Sequence, residues 1–357
     1  MKVAVIFGGR SPEHEVSRIS ACNVLRWLDR NKYDVFKIGI TKEGRWYLTD
    51  ADYEAISDGT WEFKTSNRQV CFPCDPSVHG MLVFDVSDRA KVQRLDAVIP
   101  MLHGAHGEDG DVQGLLNLNE IPYVGSGVAA SANSMDKSIT KKLADYTGVR
   151  QAKYCVVTAR EYRTSRERVA ARIAERLGDK RPLFVKPASA GSSVGASEAG
   201  CDAEVLPAIE NALKYDDKVL IEEKINGREM EIAVIGNDNP VASDVGEILS
   251  AGEFYDYDSK YNNPDSRTRV VRDLPRETID EMRDYAVRIY KAMGCKGLSR
   301  VDFFFSDEGG IVFNEINTMP GFTNISMYPM LWEDAGVSGS RLLDKLIELA
   351  LEEHSNW

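Results

Sequence analysis

The stretch Leu298-Ser-Arg-Val-Asp-Phe-Phe-Phe305, Ser-Asp-Glu-Gly-Gly310, Ile311-Val-Phe-Asn-Glu-Ile-Asn317 constrains this chain more than any other. Two β-rich runs joined by a turn that ends in Gly-Gly read as an antiparallel hairpin, in which side chains alternate faces with period two. Arg300 and Asp302 therefore share a face, and so do Glu315 and Asn317. A suitable register gathers two carboxylates and an amide oxygen beside one guanidinium. Oxygen ligands of this kind suit Mg²⁺ rather than zinc, and Mg²⁺ held by one or two carboxylates usually completes its shell with nucleotide phosphates and water. The alternative is a solvated outer face, since such polar faces are common on antiparallel sheets.

At 357 residues, 43% hydrophobic and 28% charged, the chain reads as a soluble globular protein of two or three domains. Lysine plus arginine total 44 against 56 acids, a formal charge of −12. That balance argues against nucleic acid as a partner, and any anionic ligand must be held by local cations. The apolar run after Met1 is too short for a signal peptide, and no stretch approaches the roughly 20 apolar residues of a membrane helix. A cytoplasmic protein with no membrane partner is expected. Six cysteines are too dispersed for a disulfide scaffold; Cys71-Phe-Pro-Cys74 is a redox pair, half a zinc site, or an incidental pair in a loop.

Strands alternate with helices at the start. Val3 to Phe7 reads as a buried strand ending in Gly8-Gly9, and Ser11-Pro12-Glu13 carries a helix start: a cap residue, a proline in the first turn and an acid. Tyr33 to Ile40 is the next strand, so the region is similar to half of a nucleotide-binding sheet. It lacks Gly-x-Gly-x-x-Gly after the first strand, which argues against a nicotinamide dehydrogenase. Ala97 to Leu102 runs into the polar loop His103-Gly-Ala-His-Gly-Glu-Asp-Gly110. His103 and His106 with nearby acids could bind zinc, but a substrate contact by His103 is the better-supported reading, with a plain loop histidine as its alternative.

Further on, a helix is expected over Ile139 to Tyr146 and a single charged helix over about Ala159 to Leu177. The strand Leu183 to Pro187 carries Lys186 and leads into Ala-Ser-Ala-Gly191-Ser-Ser-Val-Gly195. Glycines let backbone N–H groups close on an oxyanion and the lysine adds a point charge, so phosphate binding and a flexible hairpin loop both fit. It is not a Walker loop, because the lysine precedes the glycines. Val219 to Glu222 is another acid-bearing strand, the aromatic stretch Glu253 to Asn263 reads as a lid or binding loop, and Gly339 to Glu353 is an amphipathic closing helix.

Seven motifs then fall in one order: Gly8-Gly-Arg-Ser-Pro-Glu13-His-Glu-Val-Ser17, His103-Gly-x-x-Gly-Glu-Asp-Gly, Ser134-Met-Asp-Lys137, Val185-Lys-Pro-x-x-x-Gly-Ser-Ser-Val-Gly195, Phe254-Tyr-Asp-Tyr-x-x-Lys-Tyr261, Arg300-Val-Asp302 and Asn314-Glu-Ile-Asn-Thr-Met-Pro-Gly321. Together they resemble the D-alanine–D-alanine ligase family of the ATP-grasp superfamily over nearly the whole chain. The resemblance implies an α/β (α+β) ATP-grasp fold of three domains. Residues 1–128 would form a Rossmann-like N-terminal domain, 129–218 the central domain, and 219–357 the C-terminal domain with the magnesium and substrate sites.

It also implies roles. Lys137 and Lys186 would contact ATP phosphates, Gly191, Ser192, Ser193 and Val194 would cover them, and Glu222, Glu223, Lys224, Ile225 and Glu229 would hold adenine and ribose. Asp302, Glu315 and Asn317 would bind two Mg²⁺ ions, with Mn²⁺ a substitute. Glu13 would hold the ammonium of the first D-alanine, linked through Ser192 to Tyr261, with His103 near the same substrate. Arg300 and the Gly321 N–H would stabilise the oxyanion, and Ser326, Lys260 and Met327 would face the second D-alanine. The resemblance further implies peptidoglycan precursor synthesis in the cytoplasm by a homodimer. The chain departs from the family at Ala190, where many relatives carry a charge, and Glu223-Lys224 sits where adenine contacts are expected. Met327 stands where ligases that make D-Ala-D-Ser or D-Ala-D-Lac commonly carry arginine. A sister ligase of that kind and a non-catalytic nucleotide sensor are the alternatives.

Overall fold

The computed structural model describes residues 1–249 and 267–355. Its first sheet has seven strands: β1 (Lys2–Gly8), β2 (Asp34–Ile40), β3 (Trp46–Thr49), β4 (Arg68–Cys71), β5 (Gly80–Phe84), β6 (Ala90–Arg94) and β7 (Ala97–Pro100), in the order β6-β5-β4-β3-β2-β1-β7. Only β2, β1 and β7 run parallel; β3 to β6 form an antiparallel meander on one edge. The long Lys42 to Val92 region is therefore an extension of the sheet. Trp61, fully buried, seals it to β2: a Cβ on Gly39 would lie 2.3 Å from the indole ring. Cys71 and Cys74 are exposed free cysteines on this edge.

The second sheet is antiparallel, in the order β10-β9-β11-β8, from β8 (Tyr154–Thr158), β9 (Leu183–Pro187), β10 (Ser197–Ala199) and β11 (Lys218–Glu223). The third, also antiparallel, runs β14-β13-β12-β15-β16, from β12 (Gly227–Ile235), β13 (Val241–Leu249), β14 (Arg267–Val270), β15 (Leu298–Ser306) and β16 (Ile311–Asn317). Since β11 belongs to the second sheet, that sheet extends through Glu223.

Two local expectations change. The helix after β1 begins at His14, not within Ser11-Pro12-Glu13, which form a turn in which the Ser11 hydroxyl accepts the Glu13 N–H at 3.1 Å. The charged segment is two helices, Ala159–Thr164 and Arg166–Leu177, because Ser165 is extended and caps the second by accepting the Arg168 N–H. The closing helix Gly339–His354 buries Leu342, Leu343, Leu346 and Ile347 in a core shared with β1 and the helix His14–Trp27. No helix among the described residues is long and apolar enough to cross a membrane.

Candidate active site

The hairpin β15–β16 sets Arg300 opposite Asn317 and Asp302 opposite Glu315, with a register shift just after Asp302. On the other side of β15, β12 places Glu231 opposite Asp302. Arg300 donates from Nε and Nη2 to the two oxygens of Asp302, each at 2.8 Å, and its Nε lies 3.1 Å from Glu231 Oε1. Asn317 Nδ2 donates to Asp302 Oδ2 at 3.0 Å. Asp302 and Glu231 are buried, and Glu231, Arg300, Glu315 and Asn317 all line one cleft. A solvated outer face is thereby excluded. Asp302, Glu315 and Asn317 offer only oxygen donors to a metal, a set that fits Mg²⁺.

A second cleft lies between the second and third sheets. Phe184, Val194, Ile225, Phe304 and Phe313 give it apolar walls, and Lys186, Glu222 and Glu229 also line it. Glu222 is buried between two ammonium groups, with Lys141 Nζ 2.5 Å from Oε1 and Lys186 Nζ 2.6 Å from Oε2. Burial alone would raise the Glu222 carboxyl, but the two lysines outweigh it and bring it down to about 2. Burial acts on Lys186 in the opposite sense, pulling it down, and Glu222 and Glu315 reverse that shift and hold it above the ordinary lysine value. The side chains of Glu223 and Lys224 are engaged with neighbours: Glu223 Oε1 accepts the Lys153 N–H at 2.9 Å, and Lys224 Nζ lies 2.7 Å from Glu198 Oε2.

The two clefts share Lys137, Ser192 and Glu315. Lys137 Nζ donates to Ala190 O at 3.0 Å and lies 3.5 Å from Glu315 Oε2. Ser192 donates its hydroxyl proton to Glu13 Oε1 at 2.5 Å, so the tip of the glycine-rich loop reaches the N-terminal part of the chain. Glycines border that carboxylate for a steric reason: a Cβ at Gly104 or at Gly191 would lie 2.7 Å from Glu13 Oε2.

His103 is buried with Nδ1 3.0 Å from Met319 O and Nε2 3.0 Å from the Ser20 hydroxyl. A carbonyl only accepts, so Nδ1 carries the proton and Nε2 accepts from Ser20. Burial keeps the ring neutral by pulling its pKa below the usual histidine value. The Ser20 oxygen accepts the Phe322 N–H at 3.1 Å, and Asn23 Nδ2 donates to Phe322 O at 2.9 Å. Helix His14–Trp27 thus grips the loop carrying Gly321 and Ser326. In that loop Ser326 Oγ accepts the Thr323 N–H at 2.9 Å, and a Cβ on Gly321 would lie 2.8 Å from the same oxygen. Met327, buried, follows on the cleft wall. His106 instead bonds Asp111 at 2.7 Å on the exposed side of its loop. The two histidines face different partners and do not converge on one ion; His106 instead gathers with Asp109 and Asp111, their ligand atoms within 4.8 Å of one another. Lys260, Tyr261 and the expected lid Glu253 to Asn263 lie outside the described residues.

Sequence reading passed over three site residues. Glu231 stands two residues past Glu229 on β12, and strand alternation was the signal that both face the site. Lys141 follows Lys137 by one helical turn, the spacing that puts both on one helix face. Glu108 accepts the Gly104 N–H at 2.8 Å and the Met319 N–H at 3.1 Å, joining two loops from opposite ends of the chain. Burial, with the neighbouring Glu13 charge, pushes its carboxyl up to about 8. Nothing periodic in its loop announces this.

An antiparallel sheet laid over another across a nucleotide-sized cleft, with paired acids on a terminal hairpin, defines an ATP-grasp enzyme. Family models described as D-ala D-ala ligase N-terminus and D-ala D-ala ligase C-terminus match residues 2–126 and 143–348. The D-alanine–D-alanine ligase of Acetivibrio thermocellus is 48% identical over 99% of this chain and 97% of its own length, and that of Clostridium acetobutylicum 44% identical over 99% of both. Among solved structures, the VanG D-Ala:D-Ser ligase of Enterococcus faecalis superposes with a TM-score of 0.87 at 39% identity, covering 98% of this chain and 99% of that one. The D-alanine–D-alanine ligase of Coxiella burnetii gives 0.84 at 35% identity, covering 100% and 96%. The chain belongs to the D-alanine–D-alanine ligase family.

Proposed function

We propose that this protein joins two D-alanines into D-alanyl-D-alanine at the expense of ATP, through a D-alanyl phosphate, in peptidoglycan precursor synthesis. The observation that carries the reading is the meeting of the two clefts at Lys137, Ser192 and Glu315. A nucleotide in the apolar cleft would present its phosphates there to a carboxylate in the polar one. A carboxylate is a poor electrophile, and phosphorylation makes it reactive. Glu13, oriented by Ser192, holds the first ammonium; Lys137 and Lys186 neutralise phosphate charge, and the Gly191 to Val194 segment excludes water above it. Asp302, Glu315 and Asn317 would hold Mg²⁺, two ions with Mn²⁺ a substitute, which supplies charge neutralisation on the phosphates. The second amine then attacks the acyl carbon. Arg300 and the Gly321 N–H stabilise the oxyanion before phosphate leaves.

We assign adenine and ribose to the segment Glu222, Glu223, Lys224 and Ile225 with Glu229, which together line the apolar cleft. The second D-alanine is assigned to Ser326, Lys260 and Met327, and Tyr261 to the Glu13–Ser192 line. We place the three domains at 1–128, 129–223 and 224–357; the second junction, expected after residue 218, moves past Glu223 because β11 pairs with β8 and β9. A cytoplasmic homodimer completes the reading.

The likeness to VanG favours a second reading, in which D-serine is the second substrate. The buried thioether of Met327 favours D-alanine, because an apolar wall gives a serine hydroxyl no partner. Phosphate release from ATP, measured with D-alanine, D-serine or D-lactate as second substrate, decides between them. Release with D-alanine far above the other two is expected; release dominated by D-serine overturns the assignment, and no release with any overturns catalysis.

A further inference from the structure

The glycine-rich loop is tethered at both stems by one short turn that no part of the reading above uses. Between helix Asp202–Ala212 and β11, Tyr215 and Asp216 lie side by side. On the N-terminal stem, Asp216 Oδ2 accepts the Ser189 N–H at 2.7 Å while its Oδ1 accepts the Lys218 N–H at 3.2 Å. The Ala188 N–H donates to Lys218 O at 2.9 Å, extending the contact one residue further back. On the C-terminal stem, the Tyr215 ring packs so closely that a Cβ on Gly195 would lie 2.5 Å from Cδ2 and 3.0 Å from Pro187 Cγ. Gly195 also has φ +74, in the left-handed region.

Between these stems the loop is held under backbone strain. Ser192 and Ser193 have φ of 47 and 58, conformations that cost a non-glycine residue free energy and persist only when the surroundings impose them. The tip is imposed by Glu13, which takes the Ser192 hydroxyl proton. A tip drawn toward Glu13 needs a fixed base, and the two stems supply it. Loosening either stem would release Ser192 from the first D-alanine site and the loop's N–H groups from the phosphates together.

We propose that Asp216 and Tyr215 are positioning residues for the glycine-rich loop, setting its registry over ATP and over Glu13 at once. The proposal rests on the reading that this loop covers the ATP phosphates. A charge-assisted hydrogen bond to backbone N–H is among the stronger ones, so its loss is legible in binding.

The test uses the full-length protein with Asp216→Ala, Asp216→Asn and Tyr215→Ala. Two quantities are read: nicking of the loop, in the absence of nucleotide, by a protease that cuts after small residues, and affinity for ATP by calorimetry. Asp216→Ala and Tyr215→Ala should each speed nicking at residues 189–196 roughly tenfold and weaken ATP by a similar factor. The KM of the first D-alanine should rise in step. Asp216→Asn keeps one acceptor oxygen for the Ser189 N–H and should recover most of both. Wild-type nicking in both alanine variants overturns the tether. Faster nicking with wild-type ATP affinity leaves the tether standing and overturns the placement of the loop over the phosphates. A general loss of structure is recognised by a lowered unfolding temperature with cleavage across the whole chain, and in that case the asparagine variant decides: recovery of affinity supports the proposal, and loss equal to that of Asp216→Ala overturns it.

Discussion

Lys137 and Glu315 meet at the seam between the two clefts, Nζ to Oε2 at 3.5 Å. One opens the helix Lys137–Asp145 and the other sits on β16, so their approach ties the central part of the chain to the terminal hairpin. A phosphoryl group passing from nucleotide to amino acid would cross between them.

Glu315→Gln removes a negative charge at that seam while keeping the side chain's shape. Turnover should fall at least about a hundredfold, with thermal unfolding unchanged within a few degrees. Titrating Mg²⁺ against the free protein, by calorimetry, should show weaker uptake by the variant. Wild-type activity at limiting Mg²⁺ would remove Glu315 from the metal site.

Lys186→Ala should weaken ATP binding roughly ten- to a hundredfold, since of the other ammonium groups nearby Lys141 is buried against Glu222 and Lys137 is held at the seam by Ala190 O and Glu315. D-alanine binding should change less. Calorimetry returning wild-type nucleotide affinity would contradict the phosphate role of Lys186.

Glu222 links the two lysines to pH. Its folded-state carboxyl is brought down to about 2 from an unfolded value near 4.5, so the unfolded chain binds the proton more readily. The stability it contributes is present above about pH 4.5 and is lost as pH falls through 2. Glu222→Gln leaves two buried ammonium groups without their carboxylate and should lower the unfolding temperature strongly at pH 7. The gap between wild type and variant should then narrow steadily below pH 4.5. A gap constant down to pH 2 would mean that Glu222 is not ionised in the folded protein.

The hairpin was legible in sequence because its information is local. A Gly-Gly turn and period-two alternation put Arg300 and Asp302 on one face of β15 and Glu315 and Asn317 on one face of β16, and the pairing of Arg300 with Asn317 and of Asp302 with Glu315 brings all four to the same face of the sheet. The motif strings placed Glu13 and Ser192 in the site, but their contact crosses 179 residues and no local pattern encodes it. Glu108 was invisible for the same reason, since its two N–H partners come from Gly104 and Met319. Ser11-Pro12-Glu13 misled because a cap-like serine serves a tight turn equally well. The broken helix at Ser165 was missed because helical charge periodicity continues across the break.

Gly246→Ala tests the proposed wall of the second substrate site. Gly246 on β13 lies opposite Glu231, and a Cβ there would stand 2.2 Å from Met327 Sδ and 2.7 Å from its Cε. Such an overlap costs about 1–3 kcal/mol unless the neighbour moves. Methionine is flexible, so its thioether shifts before the backbone does. Helix Met327–Asp334 packs against β12 and β13, and Met327 lines the cleft together with Ser326. The shifted side chain should narrow the second subsite, raising the KM of the second D-alanine about tenfold, with the KM for ATP and for the first D-alanine unchanged. D-serine, bulkier by one hydroxyl, should lose more. Trimming the same wall in the double variant Gly246→Ala with Met327→Ala should restore the KM for D-alanine. If Gly246→Ala lowers the unfolding temperature and leaves both amino acid KM values at wild type, Met327 relaxes away from the cleft and does not shape the second site.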